Sequence, residues 1–296
     1  MKNTAIVVLV LIILAGIGAY FFYLKPPAAA PGAEQPATST EQAATTTENA
    51  PTEVIGKSAG GRDITAYHYG TGSKELLFIA DLHGGYEWNT ALLAYNLMDY
   101  LAQNPNAIPA NEKVTVIPTL NPDGLAKVTG KDGRFTADDI PASQAATVPG
   151  RFNANNVDLN RNFDCDWQAK GVWQSTPVSG GTAAFSEPET QAIRDYVAAH
   201  TPTAVVAYYS AAGGVYSSNC HGGVSPETTT ITKAYADASG YAAHEDFNFY
   251  DITGDMVNWL AKQQIPAISI VLTNHTSTEW DKNEAGIKAL LAHYAE

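Results

Sequence analysis

Four short runs of apolar, largely β-branched residues, set apart by longer segments, most constrain what this chain can fold into. Residues 75–80 (ELLFIA), 113–119 (KVTVIPT), 204–209 (AVVAYY) and 267–272 (AISIVL) read as strands of a sheet covered on both faces. Helices are predicted between and after them, at residues 87–103 and 187–200, from Ser225-Pro226 onward, at 253–264 and at 282–294. Ser186 with Glu189 three residues on, and Pro188 in the first turn, has the pattern of a capping box opening the second of these helices. Strands alternating with helices predict an α/β sandwich, in which chemistry sits at the carboxyl ends of the strands.

The first 52 residues follow different rules. Residues 4–24 (TAIVVLVLIILAGIGAYFFYL) are uninterruptedly apolar between Lys2 and Lys25, enough as a helix to cross the roughly 30 Å hydrocarbon core. Residues 1–25 therefore read as an uncleaved transmembrane signal anchor, although the small residues at 28–33 would also suit cleavage. Residues 26–52 are rich in Pro, Ala, Thr, Ser and Glu with not one large apolar side chain, so they predict a disordered linker. The folded domain is expected at 53–296, outside the cytoplasm. With 17 Lys+Arg against 30 Asp+Glu, the net charge of −13 offers no footprint for phosphates, which excludes a nucleic-acid partner from the expectation.

Polar motifs stand at the predicted strand ends. After the first core strand comes Asp81-Leu82-His83-Gly84-Gly85-Tyr86-Glu87-Trp88, where an imidazole and a carboxylate share a strand-to-helix turn. Taken alone this is either a hydrogen-bonded turn or half a zinc site. Asn121-Pro122-Asp123-Gly124 reads as a turn. The stretch from Arg151 to Phe163 packs two guanidiniums and several amides together, a composition that suits either a self-satisfied polar loop or capture of a carboxylate.

In order and spacing, IGKSAGGRDITAYHYG, HGGYEWNT, PTLNPDG, NVDLNRNF and SGGTAAFSEPET resemble the M14 zinc carboxypeptidases, bacterial members above all. The resemblance implies a mixed, mostly parallel eight-stranded sheet with helices on both faces, a zinc cofactor, and a peptide or peptidoglycan peptide as substrate. It assigns His83 and Glu87 as the first two zinc ligands, with one residue more between them than the family's usual spacing. It assigns Asn160 and Arg161 to the clamp on the terminal carboxylate and Arg151 to the developing oxyanion. Tyr250 matches the mobile tyrosine over the bound residue, and Val257 the base of an apolar side-chain pocket.

Two positions depart from the pattern. The third zinc ligand, normally His, is Tyr209, and the general base, normally Glu, is Val271. Valine cannot accept a proton, and a phenol with an ordinary pKa of about 10 is a poor metal ligand at neutral pH. His221 and Glu279 are the nearby residues that could substitute. Three readings follow: an active exported zinc exopeptidase, a catalytically impaired module that binds peptide C-termini, or a structural surface domain. Cys165 and Cys220 follow the NRNF segment and the Tyr209 strand, so both are expected on loops at one rim of the site and, in an exported domain, joined by a disulfide.

Overall fold

The structure is a computed structural model that describes residues 51–295. The apolar run and most of the linker lie outside the described residues. Among the described residues no helix is long and apolar enough to cross a membrane.

The centre is an eight-stranded mixed sheet. Its strands are β1 (Thr52–Lys57), β2 (Asp63–Gly70), β3 (Lys74–Ile79), β4 (Glu112–Ile117), β7 (Ala204–Ser210), β8 (Gly214–Ser217), β9 (Ala243–His244) and β10 (Ala267–Leu272), in the spatial order β1-β2-β4-β3-β7-β10-β8-β9. β4, β3, β7 and β10 run parallel to one another, and these are the four apolar runs of the sequence. The antiparallel β1, β2 and β8 carry alternating or sparse apolar residues and were not visible as continuous runs. A separate hairpin, β5 (Lys170–Trp173) and β6 (Thr176–Ser179), stands beside the sheet.

The period-2 alternation of the central strands divides the core. Leu76, Phe78, Val206, Tyr208, Ile268 and Ile270 face one way, onto α1 (Trp88–Gln103), α5 (Pro226–Ser239) and α7 (Trp280–Tyr294). Leu77, Ile79, Val205, Ala207, Tyr209 and Val271 face the other way, onto α4 (Pro188–His200) and α6 (Met256–Lys262). Each such side chain is worth about 1.5–3 kcal/mol when fully buried, so these two layers dominate the fold's stability.

Helix starts depart in part from the sequence expectation. Ser225 does cap α5, its hydroxyl accepting from the Thr228 N–H. The expected capping box at Ser186 and Glu189 does not form, because the N-cap falls on Glu187 and other partners take both side chains. Ser186 Oγ donates to Glu187, and the buried Glu189 accepts from the Ala59 N–H and from Asn153. Asn121-Pro122-Asp123-Gly124 is more than a turn. Asn121 caps α2 (Pro122–Thr129) by accepting from the Gly124 N–H, and Pro122 opens the helix. A four-residue helix, α3 (Gln144–Thr147), leads into a 3₁₀ turn at Val148–Arg151.

That 3₁₀ turn is brought close to the His83–Glu87 segment by glycines. A Cβ on Gly124 would fall inside van der Waals contact with the Gly150 carbonyl, and one on Gly84, whose φ is +47°, would meet Gly150 and Gly124. The additional residue between His83 and Glu87 is thus absorbed in a 3₁₀ turn, Gly84–Glu87, that only glycine backbone packs this tightly. Gly124→Ala tests the constraint. Helix propensity alone favours alanine in α2 by about 1 kcal/mol. Overpacking against Gly150 is expected to win, with a net loss of ~1–3 kcal/mol in chemical denaturation.

Candidate functional site

The carboxyl ends of β3, β7 and β10 open onto a cavity of about 600 Å³. His83, Glu87, Arg151, Asn160, Tyr209, Tyr250, Val257 and Val271 all line it. Of the candidate residues singled out in the sequence, Arg161, His221, Glu279 and the two cysteines do not. Arg161 is buried behind the wall, its guanidinium donating to the main-chain carbonyls of Asn160 (2.7 Å) and Val172 (2.8 and 3.2 Å) and lying 5.8 Å from the Tyr250 ring. His221 pairs with Asp166 at the surface, 2.8 Å away. Glu279 accepts from the Thr273 N–H and the Tyr241 hydroxyl. Cys165 and Cys220 are joined as a disulfide with Cα atoms 6.1 Å apart.

A residue that the motif comparison left without a role holds one wall together. Asp158 is fully buried and accepts from Arg151 Nε and Nη2 at 3.0 and 2.9 Å, while its other oxygen accepts from the Asn160 N–H and lies 3.4 Å from His83 Nε2. Burial by itself would raise this carboxyl, but the Arg151 guanidinium first, and the adjacent His83 ring with it, overcome that and hold Asp158 well below the ordinary carboxylate range. Arg151 also lies 4.5 Å from the Trp173 ring and 5.7 Å from Tyr86, so the β5–β6 hairpin covers the guanidinium.

The substituted positions form a second network. Tyr209 and Val271 are register partners on adjacent strands and face the same side. The Tyr209 hydroxyl donates to Asn160 Oδ1 at 3.3 Å, an oxygen that also accepts from the Met256 N–H. Asn160 Nδ2 donates to Asp255 at 3.0 Å, and Asp255 caps α6 by accepting from the Asn258 N–H. Burial, with the nearby acids Asp255 and Glu87, pushes the Tyr209 phenol well above its ordinary value. Burial also raises Asp255.

Zinc needs three protein donors in a site of this kind. His83 Nδ1 lies 2.9 Å from Glu87 Oε1, and neither ring nitrogen has an aligned hydrogen bond, which suits a ligand. Glu87 Oε2 accepts from the Ser210 N–H. The third position does not fit: the phenol is protonated and engaged with Asn160. Among the described residues no group of three His, Cys, Asp or Glu is arranged to hold a metal.

A family model described as zinc carboxypeptidase, covering the M14 peptidases, matches residues 40–289. The chain belongs to the M14 family. This M14 chain is 28% identical over 182 residues to carboxypeptidase M of Mus musculus, covering 57% of this chain and 33% of that protein. It is 26% identical over 226 residues to gamma-D-glutamyl-L-diamino acid endopeptidase 1 of Lysinibacillus sphaericus, with 66% and 54% covered. The chain thus spans a third to about half the length of these relatives. In fold, this M14 domain is similar to the murein-tripeptide amidase MpaA of Escherichia coli O157 (TM-score 0.60, 20% identity, 84% of this chain and 94% of that one). It is similar too to the carboxypeptidase A of Helicoverpa armigera (TM-score 0.64, 20% identity, 83% and 67%).

Sequence reasoning missed Asp158, Trp173, Asp255 and His275. Asp158 stood within the quoted NVDLNRNF string, and its place between two guanidiniums was the available signal; the others come from loops and a hairpin whose approach to the site only the fold sets. Asp158→Asn leaves Arg151 buried without its counter-charge and should cost about 3–5 kcal/mol at neutral pH. Because the folded carboxyl is depressed, its contribution is present above the unfolded pKa of about 3.9 and fades as pH falls below it. Denaturation at pH 7 and pH 3 should therefore show a smaller gap between wild type and variant at the lower pH.

Proposed function

We propose that this protein is an exported M14 domain, tethered to the membrane by residues 1–25, that binds the free C-termini of peptides and hydrolyses them at no useful rate. The observation that carries this reading is the Tyr209–Asn160 hydrogen bond. It puts a protonated phenol where a third metal donor would stand, and Val271 beside it offers no base. Loss of a positioned base by itself lowers rate about 100- to 10,000-fold.

Recognition groups remain at the cavity. Arg151 Nη1 has no aligned hydrogen bond, lying 3.9 Å from Glu87, and one Asn160 amide hydrogen is uncommitted, so both can donate to a carboxylate. Tyr250 and Val257 supply a cover and an apolar wall for the terminal side chain. The names of the murein-tripeptide amidase and the gamma-D-glutamyl-L-diamino acid endopeptidase support peptidoglycan stem peptides as the ligand class, and the apolar run at 4–24 supports presentation outside the cytoplasm.

A charge-assisted hydrogen bond is worth roughly 1.5–3 kcal/mol, so a peptide acid should bind about 10- to 100-fold more tightly than its amide in calorimetry. Equal affinity would remove carboxylate recognition. Dialysed protein is expected to carry far less than one zinc per chain by elemental analysis, with Tyr209→His raising occupancy. The double variant Tyr209→His, Val271→Glu should gain measurable release of C-terminal residues. Stoichiometric zinc and rapid turnover in the unaltered protein would return the active-enzyme reading.

A further inference from the structure

His275, in the loop after β10, lines the same cavity, with its ring 4.6 Å from that of Tyr86. Its protonation pattern is dictated from behind. Asn89, in the first turn of α1 and fully buried, donates both amide hydrogens to main-chain carbonyls of this loop, Asn274 at 2.8 Å and Ser277 at 2.9 Å. Carbonyls only accept, so the amide has one orientation and Oδ1 is left as an acceptor. The Ser210 hydroxyl donates to that oxygen at 3.1 Å. With its single hydrogen committed, Ser210 Oγ can only accept from His275 Nδ1, 3.0 Å away. The hydrogen of the neutral imidazole is therefore on Nδ1, and Nε2 keeps a bare lone pair. Among the described residues no donor meets Nε2. The same chain of bonds makes Ser210 a positioning residue, since its proton points to Asn89 and away from His275.

We propose that His275 Nε2 reads the bound peptide by accepting a backbone N–H near its C-terminus. The ligand is then a peptide in the strict sense, and a depsipeptide with an ester at that bond presents an oxygen lone pair to Nε2 and is rejected. This rests on the carboxylate-binding reading above and adds a second contact to it.

The test uses the full chain in detergent, with ¹⁵N-labelled histidine. Long-range ¹H–¹⁵N spectra should show the Nδ1–H tautomer for the resonance lost in His275→Phe, and Ser210→Ala should shift it toward the Nε2–H form. Calorimetry with a tripeptide acid, and with analogues in which each amide is replaced in turn by an ester, should show one ester binding about tenfold more weakly. His275→Phe, which keeps a ring against Tyr86, should lower tripeptide affinity about tenfold and erase the ester discrimination, while the preference for acid over amide persists. An Nε2–H tautomer in the unaltered protein, or esters that all bind as tightly as the amide while acid is still preferred, overturns the role of His275 alone. Loss of the acid preference in the unaltered protein defeats the carboxylate reading instead, and no binding of any peptide overturns both.

Discussion

The buried pair between Asp158 and Arg151 is the constraint on which the site depends. Two charges taken out of water are costly unless each is neutralised and hydrogen-bonded. Here the carboxylate receives two guanidinium bonds and a main-chain N–H, and lies against His83. The guanidinium in turn is covered by Trp173 and Tyr86. Four segments are thereby held together: the His83–Glu87 turn, the 148–151 turn, the 158–161 turn and the β5–β6 hairpin. Glycine packing at Gly84, Gly124 and Gly150 makes the approach possible, and the ion pair makes departure from it expensive.

Against that fixed wall, the opposite side of the cavity has been rebuilt. Tyr209 and Val271 are neighbours across one strand pair, so their replacements meet in space and fill one volume. The phenol is tied into Asn160 and, through it, into Asp255 and the first turn of α6. Each side chain of this network has a hydrogen-bond partner, with one Asn160 amide hydrogen left toward the cavity, which makes the altered site as coherent as the wall facing it. Hydrogen bonding here serves to fix shape and donors, and neither Tyr209 nor Val271 is poised to take a proton.

The parallel core was legible because burial on both faces leaves near-continuous apolar runs, and all four such runs are adjacent central strands. The antiparallel strands escaped, β1 and β2 because half-exposed faces leave only weak alternation and β8 because it is only four residues long. The Ser186–Glu189 capping pattern was a local signal overruled by Asn153 and the Ala59 N–H, neither of which is near in sequence. In the site, His83, Glu87, Arg151, Asn160, Tyr250 and Val257 were named from motifs and do share one cavity. Arg161 was named as well, yet its guanidinium faces main-chain carbonyls, a placement no motif encodes.

By itself the sequence determined the α/β layering, the order of the strand-end motifs, the family and the absence of a histidine at 209 and a carboxylate at 271, because these are properties of residue type and spacing. Only the tertiary structure decided what those residues do. Asp158 becomes the anchor because Arg151 is folded onto it, and Tyr209 is held by an amide 49 residues away. The tautomer of His275 follows from Asn89, 186 positions earlier in the chain, acting through Ser210. The physical reason is common to all three: the energy of a buried charge or hydrogen bond depends on which donors and acceptors packing brings within about 3 Å, and sequence separation carries almost none of that information.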